Sequence, residues 1–106
     1  MDGAAPSRRL TVTETARPKL ARHARLRFDE TRDRWVLLVP ERVLAPDEIA
    51  IEILNLCDGV RDVAAIVETL AEKYAAPREV ILTDVTALLQ DLADKGFVVG
   101  AKEMAP

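Results

Sequence analysis

The sequence predicts an α+β fold of the winged helix-turn-helix kind, in which a small three-stranded antiparallel sheet is followed by a three-helix cluster. Three observations carry that prediction. Apolar and polar residues alternate near Arg25 to Asp29, ahead of a β-rich run from Trp35 to Val39. Apolar residues then recur at helical spacing in three stretches between Ile49 and Leu92, separated by Asp, Gly and Pro. The chain's 106 residues, 49% apolar and 31% charged, suffice for one domain with a single core.

Residues 1–18 contain Gly3, Pro6, Ser7 and Pro18, and only Leu10 and Val12 are appreciably apolar. Such a stretch buries too little surface to offset its ordering entropy, so a flexible tail, or a linker to another domain, is expected there. The folded domain is expected over residues 19–100, with a flexible end at 101–106. Leu26 and Phe28 alternate with Arg25, Arg27 and Asp29, the period-two pattern of a half-buried strand. Glu30 to Asp33 is a polar turn, and Trp35 to Val39 is the second strand of an antiparallel hairpin. Pro40 cannot donate to a ladder and interrupts that strand. Arg42-Val43-Leu44 is then a third, very short strand, which Pro46 ends.

Asp47 and Glu48 suit the first turn of a helix. Its apolar positions are Ile49, Ile53 and Leu56, flanked by Leu54 and Cys57, and Asp58-Gly59 is expected to end it. Asp62 can cap a second helix with the stripe Val63, Ile66, Val67, Leu70 and Tyr74. Ala75-Ala76-Pro77 breaks the chain before a third helix, from Arg78 to Lys95. Ile81, Val85, Leu88 and Leu92 form its stripe, widened by Leu82 and Leu89. Gly96 caps it, and Phe97-Val98-Val99 closes against the core with room for a short strand.

Catalysis finds little material. Cys57 is the sole cysteine and His23 the sole histidine, so an internal disulfide and a CxxC centre are excluded. Any His-based pair would rest on one residue in a polar, basic stretch. No GxGxxG, GxxxxGK or HExxH pattern occurs. Cys57 falls at a predicted helix C-terminus, which disfavours a thiolate, and reads as a small core residue. Asp84 and Asp91 share a face of the third helix and read as a solvated face. No catalytic residue, cofactor or metal is expected. No stretch approaches the roughly 20 apolar residues of a membrane span, and the first ten residues lack a signal-peptide core, so a cytoplasmic protein is expected.

Charge is divided unevenly. Residues 1–45 hold ten Lys/Arg against six Asp/Glu, and residues 46–106 hold five against twelve, giving +4 and −7. In a winged helix-turn-helix DNA-binding regulator the third helix would read the groove. Here that helix carries Glu79, Asp84, Asp91 and Asp94 against Arg78 and Lys95, which repels phosphate. The third strand invites another use. As the last strand of the sheet it is an edge, with N–H and C=O groups free for an extended peptide and an amphipathic helix alongside. From the residues alone, an ordinary edge blunted by Pro40 and Pro46 remains the alternative.

The run Val36-Leu37-Leu38-Val39-Pro40-Glu41-Arg42-Val43-Leu44, then Ile53-Leu54-Asn55-Leu56-Cys57-Asp58-Gly59, then Val63 to Leu70, then Asp84-Val85 with Leu88, Leu89 and Leu92 before Gly96, resembles the PqqD family. This is the pyrroloquinoline quinone (PQQ) biosynthesis protein D family, which belongs to the recognition elements for ribosomally made precursor peptides. The resemblance covers about residues 18–99. Ala45 departs from it, standing where relatives often carry a polar residue able to cap the first helix.

The resemblance implies a non-catalytic peptide chaperone. It would bind the precursor peptide PqqA and associate with the radical SAM enzyme PqqE, which cross-links a Glu and a Tyr of that peptide. The peptide would add a strand beside Arg42, Val43 and Leu44 and pack on the third helix at Val80, Asp84, Ala87, Leu88 and Asp91. A monomer is expected, with a dimer open through the same edge. A recognition element for another modified peptide stays open as the second reading.

Overall fold

Leu26, Leu37 and Leu44 stand side by side across three antiparallel strands and turn one face of that sheet to the core. The computed structural model describes residues 10–101. Their elements are β1 (Pro18–Leu20), β2 (Arg25–Asp29), β3 (Arg34–Val39), β4 (Arg42–Leu44), α1 (Glu48–Asn55), α2 (Val63–Tyr74), α3 (Arg78–Asp94) and β5 (Val98–Gly100). The fold is the predicted mixed one, with the sheet β2-β3-β4 followed by three helices. A second, two-stranded sheet pairs β1 with β5, with Leu20 opposite Val98. The sequence reading foresaw no strand at residues 18–20, because three residues starting on a proline show no alternation.

The helices pack through stripes that largely follow their spacing. Val63, Ile66, Val67, Val85 and Leu89 are fully buried and meet Leu37, Ile53, Leu54 and Val98 in one cluster. Two predicted stripe residues depart from it. Ile49 is 47% exposed and Tyr74 is 44% exposed, so neither is a core residue. Periodicity identifies a helix face, and here the neighbouring element stops short of each position.

Two of the three helix starts have a side-chain cap for their orphan N–H groups, and α3, which begins after Pro77, has none. Asp47 accepts from the Ala50 N–H at 2.8 Å, so α1 has its cap two residues after Ala45. Asp62 does the same for Ala65 at 2.9 Å. Gly96, at φ +85, ends α3, with Phe97 N–H donating to the Leu92 carbonyl and Gly96 N–H to that of Ala93. Helix α1 ends at Asn55, ahead of the expected stop at Asp58-Gly59. Gly59 has φ +81 instead because its N–H donates to Pro18 O, in the loop that abuts β1.

Residues 10–17 contradict the expectation of a flexible tail. Leu10 and Val12 are 7% and 6% exposed and belong to the core. Gln90 holds the strap at two points, its Nε2 donating to Leu10 O and its Oε1 accepting from Val12 N–H, both at 2.9 Å. The carbonyls of Ala16 and Glu14 accept from the first N–H groups of α2, at Val63 and Ala64. Glu14 also ion-pairs with Arg78. Hydropathy registers none of these backbone bonds. Residues 1–9 and 102–106, the rest of the predicted tail and of the flexible end expected at 101–106, lie outside the described residues; Ala101 is described, its N–H donating to Arg17 O at 2.8 Å.

Cys57 sits in this core, its thiol donating to Ile53 O at 3.2 Å. Burial, with the Asp58 carboxylate adding to it, pushes the thiol from an ordinary 9.0 up to about 12. We therefore expect the native chain to resist thiol-disulfide reagents at pH 8 and to react once unfolded, as a spectrophotometric thiol assay reads. The linkage has a definite sign. Below about pH 9 both states keep the proton and the thiol adds no pH dependence. From pH 9 towards 12 only the unfolded chain ionises, so stability falls as pH rises.

Candidate functional site

Strands β3 and β4 are joined by two residues, Pro40 and Glu41. Pro40 supplies the fixed φ of a turn's second position and Glu41, at φ +66, its left-handed third position. With so short a loop, the closing pair Val39 and Arg42 is the hydrogen-bonded kind. Alternation then directs the N–H and C=O of Val43 away from β3. As β4 is the outer strand of the sheet, those two groups face a free edge. The Val43 side chain, 52% exposed, stands on the face opposite the core, while Leu44 turns inward and is partly buried.

Past β4 the chain turns through Ala45-Pro46 into α1, whose first turns face Asp84 and Leu88 of α3. Between the two helices runs a groove of about 290 Å³, lined by Asp47, Ile49, Ala50, Ile53, Asp84 and Leu88. Its floor is apolar and its two rims carry carboxylates. Among the described residues seven large apolar side chains are exposed, and three of them mark this region: Val43 on β4, Ile49 on α1 and Val80 on α3.

The structure thus brings Asp84 and Leu88 together in one groove and sets Arg42, Val43 and Leu44 as the nearby sheet edge. Val80, Ala87 and Asp91 are exposed on α3 but do not line the groove, and Asp91 is ion-paired with Lys95 at 3.0 Å. Sequence reasoning missed the contribution of α1. Its signal was present in Asp47 and Ile49, which the helical pattern assigned to the first turn and the core. The strap lies clear of the groove, because Gln90 is rotated about 120° from Asp84 around α3 at 100° per residue.

A second groove, of about 840 Å³, lies between the β2–β3 turn and the helices. Phe28, Trp35 and Tyr74, three of the chain's four Phe, Trp and Tyr residues, line it. Phe28 and Trp35 pack edge to face, with ring centroids 5.7 Å apart. Tyr74 and Lys73 both bond Glu52 and tie the end of α2 to α1. Elsewhere the titratable groups do not converge. His23 is exposed and meets only the edge of Phe97 among aromatic rings, at 6.3 Å. Among the described residues no group of three or more His, Cys, Asp or Glu side chains could hold a metal ion, and no helix is long and apolar enough to cross a membrane.

Comparison with known proteins places this architecture. The family model described as coenzyme PQQ synthesis protein D (PqqD) matches residues 34–98. A PqqA binding protein of Rhodopseudomonas palustris (strain TIE-1) is 68% identical over 99 residues, which span 93% of this chain and 97% of that one. The PqqA binding protein of Gluconobacter oxydans (strain 621H) is 43% identical over 87 residues, spanning 82% and 91%. Among solved structures, the PqqD truncation of Methylobacterium extorquens PqqCD superposes with a TM-score of 0.71 at 38% identity, covering 82% of this chain and 93% of that one. That solution structure is described as a functional, stand-alone recognition element for a ribosomally synthesized, post-translationally modified peptide. PqqD from Xanthomonas campestris gives 0.51 at 40% identity, covering 81% and 96%.

Proposed function

The chain belongs to the PqqD family, and on that premise we propose that it is a non-catalytic chaperone of PQQ biosynthesis that binds the precursor peptide PqqA by edge-strand addition. The peptide lies along β4, pairing with the outward N–H and C=O of Val43, and seats side chains between α1 and α3 at Ile49, Asp84 and Leu88. Held this way in the cytoplasm, it is presented to the radical SAM enzyme PqqE, which cross-links its Glu and Tyr. The relatives' name, PqqA binding protein, supports the peptide partner. The observation that carries the site is the free β4 edge beside an apolar groove. Backbone pairing supplies affinity and the groove selects side chains. The working form is a monomer, since a second copy pairing at β4 would occupy the same edge. The carboxylates of Asp47 and Asp84 on the groove's two rims oppose a nucleic acid on this side and favour basic positions in the peptide.

Titration of the isotopically labelled chain with PqqA tests this reading. Amide shifts are expected in residues 41–45, in 47–53 of α1 and on α3 between Val80 and Asp91, centred on Asp84 and Leu88. Shifts confined to the strap at residues 10–17, or none at micromolar peptide, would sink it.

A further inference from the structure

The cations of this chain fall into two populations. In the helical half each described Lys or Arg is ion-paired: Arg61 with Asp58, Lys73 with Glu52, Arg78 with Glu14, and Lys95 with Asp91. In the sheet half, among the described residues, only Arg32 is, with Asp29 at 3.7 Å. Arg25, Arg27, Arg34 and Arg42 on the strands form no ion pair among the described residues.

Register places two of these arginines around an apolar centre. Arg25, Leu38 and Val43 stand in one row across β2, β3 and β4, and Arg27 and Val36 stand in the next. All five therefore share the outer face of the sheet, opposite the face that carries Leu26, Leu37 and Leu44. Val36 is only 2% exposed, at the bottom of a shallow hollow of about 580 Å³ whose other walls are Arg27, Leu38 and Val43 and, at the β2–β3 turn, Phe28, Asp29, Glu30 and Thr31; of its two carboxylates Asp29 is already paired with Arg32. An apolar centre flanked by arginines, with no lysine on these three strands, has the composition of a protein interface. Arg25 and Arg27 form no ion pair among the described residues, and Asp29 at the turn end is taken by Arg32, so the guanidinium groups complement a surface that supplies carboxylates.

We propose that this outer face is a second docking surface, taking a carboxylate-bearing surface of the enzyme that modifies the bound peptide. It relies on the reading above for the existence of that enzyme, not for the position of the peptide. The backbone edge of β4 and the α1–α3 groove stay open, so peptide and enzyme bind together, on different sides of one sheet. Attraction between opposite charges also makes the encounter fast at low salt and slower as salt rises.

The test is the double charge reversal R25E/R27E in the full chain, titrated separately with PqqA and with purified cognate PqqE. Both arginines are exposed, so the fold is expected to persist, as an amide correlation spectrum checks. Affinity for PqqE should fall at least about tenfold at low salt, with the on-rate carrying much of the loss, and affinity for PqqA should stay within about twofold. PqqE affinity unchanged by the reversal, or no PqqE binding by the unaltered chain while PqqA still binds, overturns the second surface and leaves the peptide site standing. A parallel loss of PqqA affinity would instead put the peptide on the outer face. A 20-bp DNA duplex bound at micromolar concentration by the unaltered chain, and lost on reversal, would assign the face to nucleic acid and overturn the proposal as well.

Discussion

Replacing Val43 by proline should weaken PqqA binding by about one to two orders of magnitude while the fold persists. The expectation follows from the loop of Pro40 and Glu41. That loop makes Val39 and Arg42 the closing hydrogen-bonded pair, so Arg42 and Leu44 bond to β3 and Val43 bonds outward. Proline at 43 removes the outward N–H and leaves a carbonyl of the docked peptide without its partner. An unsatisfied polar group of this kind costs roughly 1–3 kcal/mol, or about fivefold to 150-fold in affinity. The bonds of Arg42 and Leu44 to β3 are retained, so far-ultraviolet circular dichroism should show unchanged helix content. Val43→Ala is the control. It keeps the N–H and trims only a side chain that stands on the outer face, so affinity by calorimetry should stay within a few-fold of the parent. Equal affinity in the proline and alanine variants would mean that the peptide docks elsewhere.

The contrast between those two variants reflects what the sequence could and could not reveal. Elements encoded by local signals were legible. Alternation at Arg25 to Asp29 marks β2, the spacing of Val63, Ile66, Val67 and Leu70 marks α2, and Asp62 and Gly96 punctuate α2 and α3 as read. The short third strand was legible too, because Pro40 and Pro46 bracket it. What escaped is ordered by non-local backbone bonds. The β1–β5 ribbon joins Pro18 to Gly100: room for a short strand at Phe97 to Val99 was legible, but its partner β1 was not, since residues 18–20 have no pattern of their own. The strap at residues 10–17 is held by carbonyls bonded to the start of α2 and by the amide of Gln90, groups that hydropathy does not register. The proposed site follows the same division. Its strand and one flank of α3 were readable. The part played by α1 was not, because Ile49 fits the apolar stripe of a buried face and only the placement of α3 shows that it borders a groove.

Adjacent leucines on α3 should separate stability from binding. Leu89 is fully buried within the central cluster with Leu37, Ile66 and Val85. Its replacement by alanine removes buried methyl groups and leaves a cavity that the packed helices fill only in part, at a cost of about 2–5 kcal/mol. In a domain of this size such a loss lowers the melting temperature by roughly 10–30 °C. Leu88 is rotated about 100° along the helix surface, is partly exposed, and lines the α1–α3 groove. Leu88→Ala leaves a void open to solvent rather than a sealed cavity, so its stability cost should stay below about 1.5 kcal/mol. Its effect should fall instead on PqqA, which loses apolar contact worth about 1 kcal/mol, or roughly fivefold in affinity. Thermal melts and peptide titrations of the two variants side by side read both quantities. A large stability loss for Leu88→Ala with unchanged peptide affinity would make Leu88 a core residue. The peptide would then have to meet α3 on another flank, towards Val80 and Ala87.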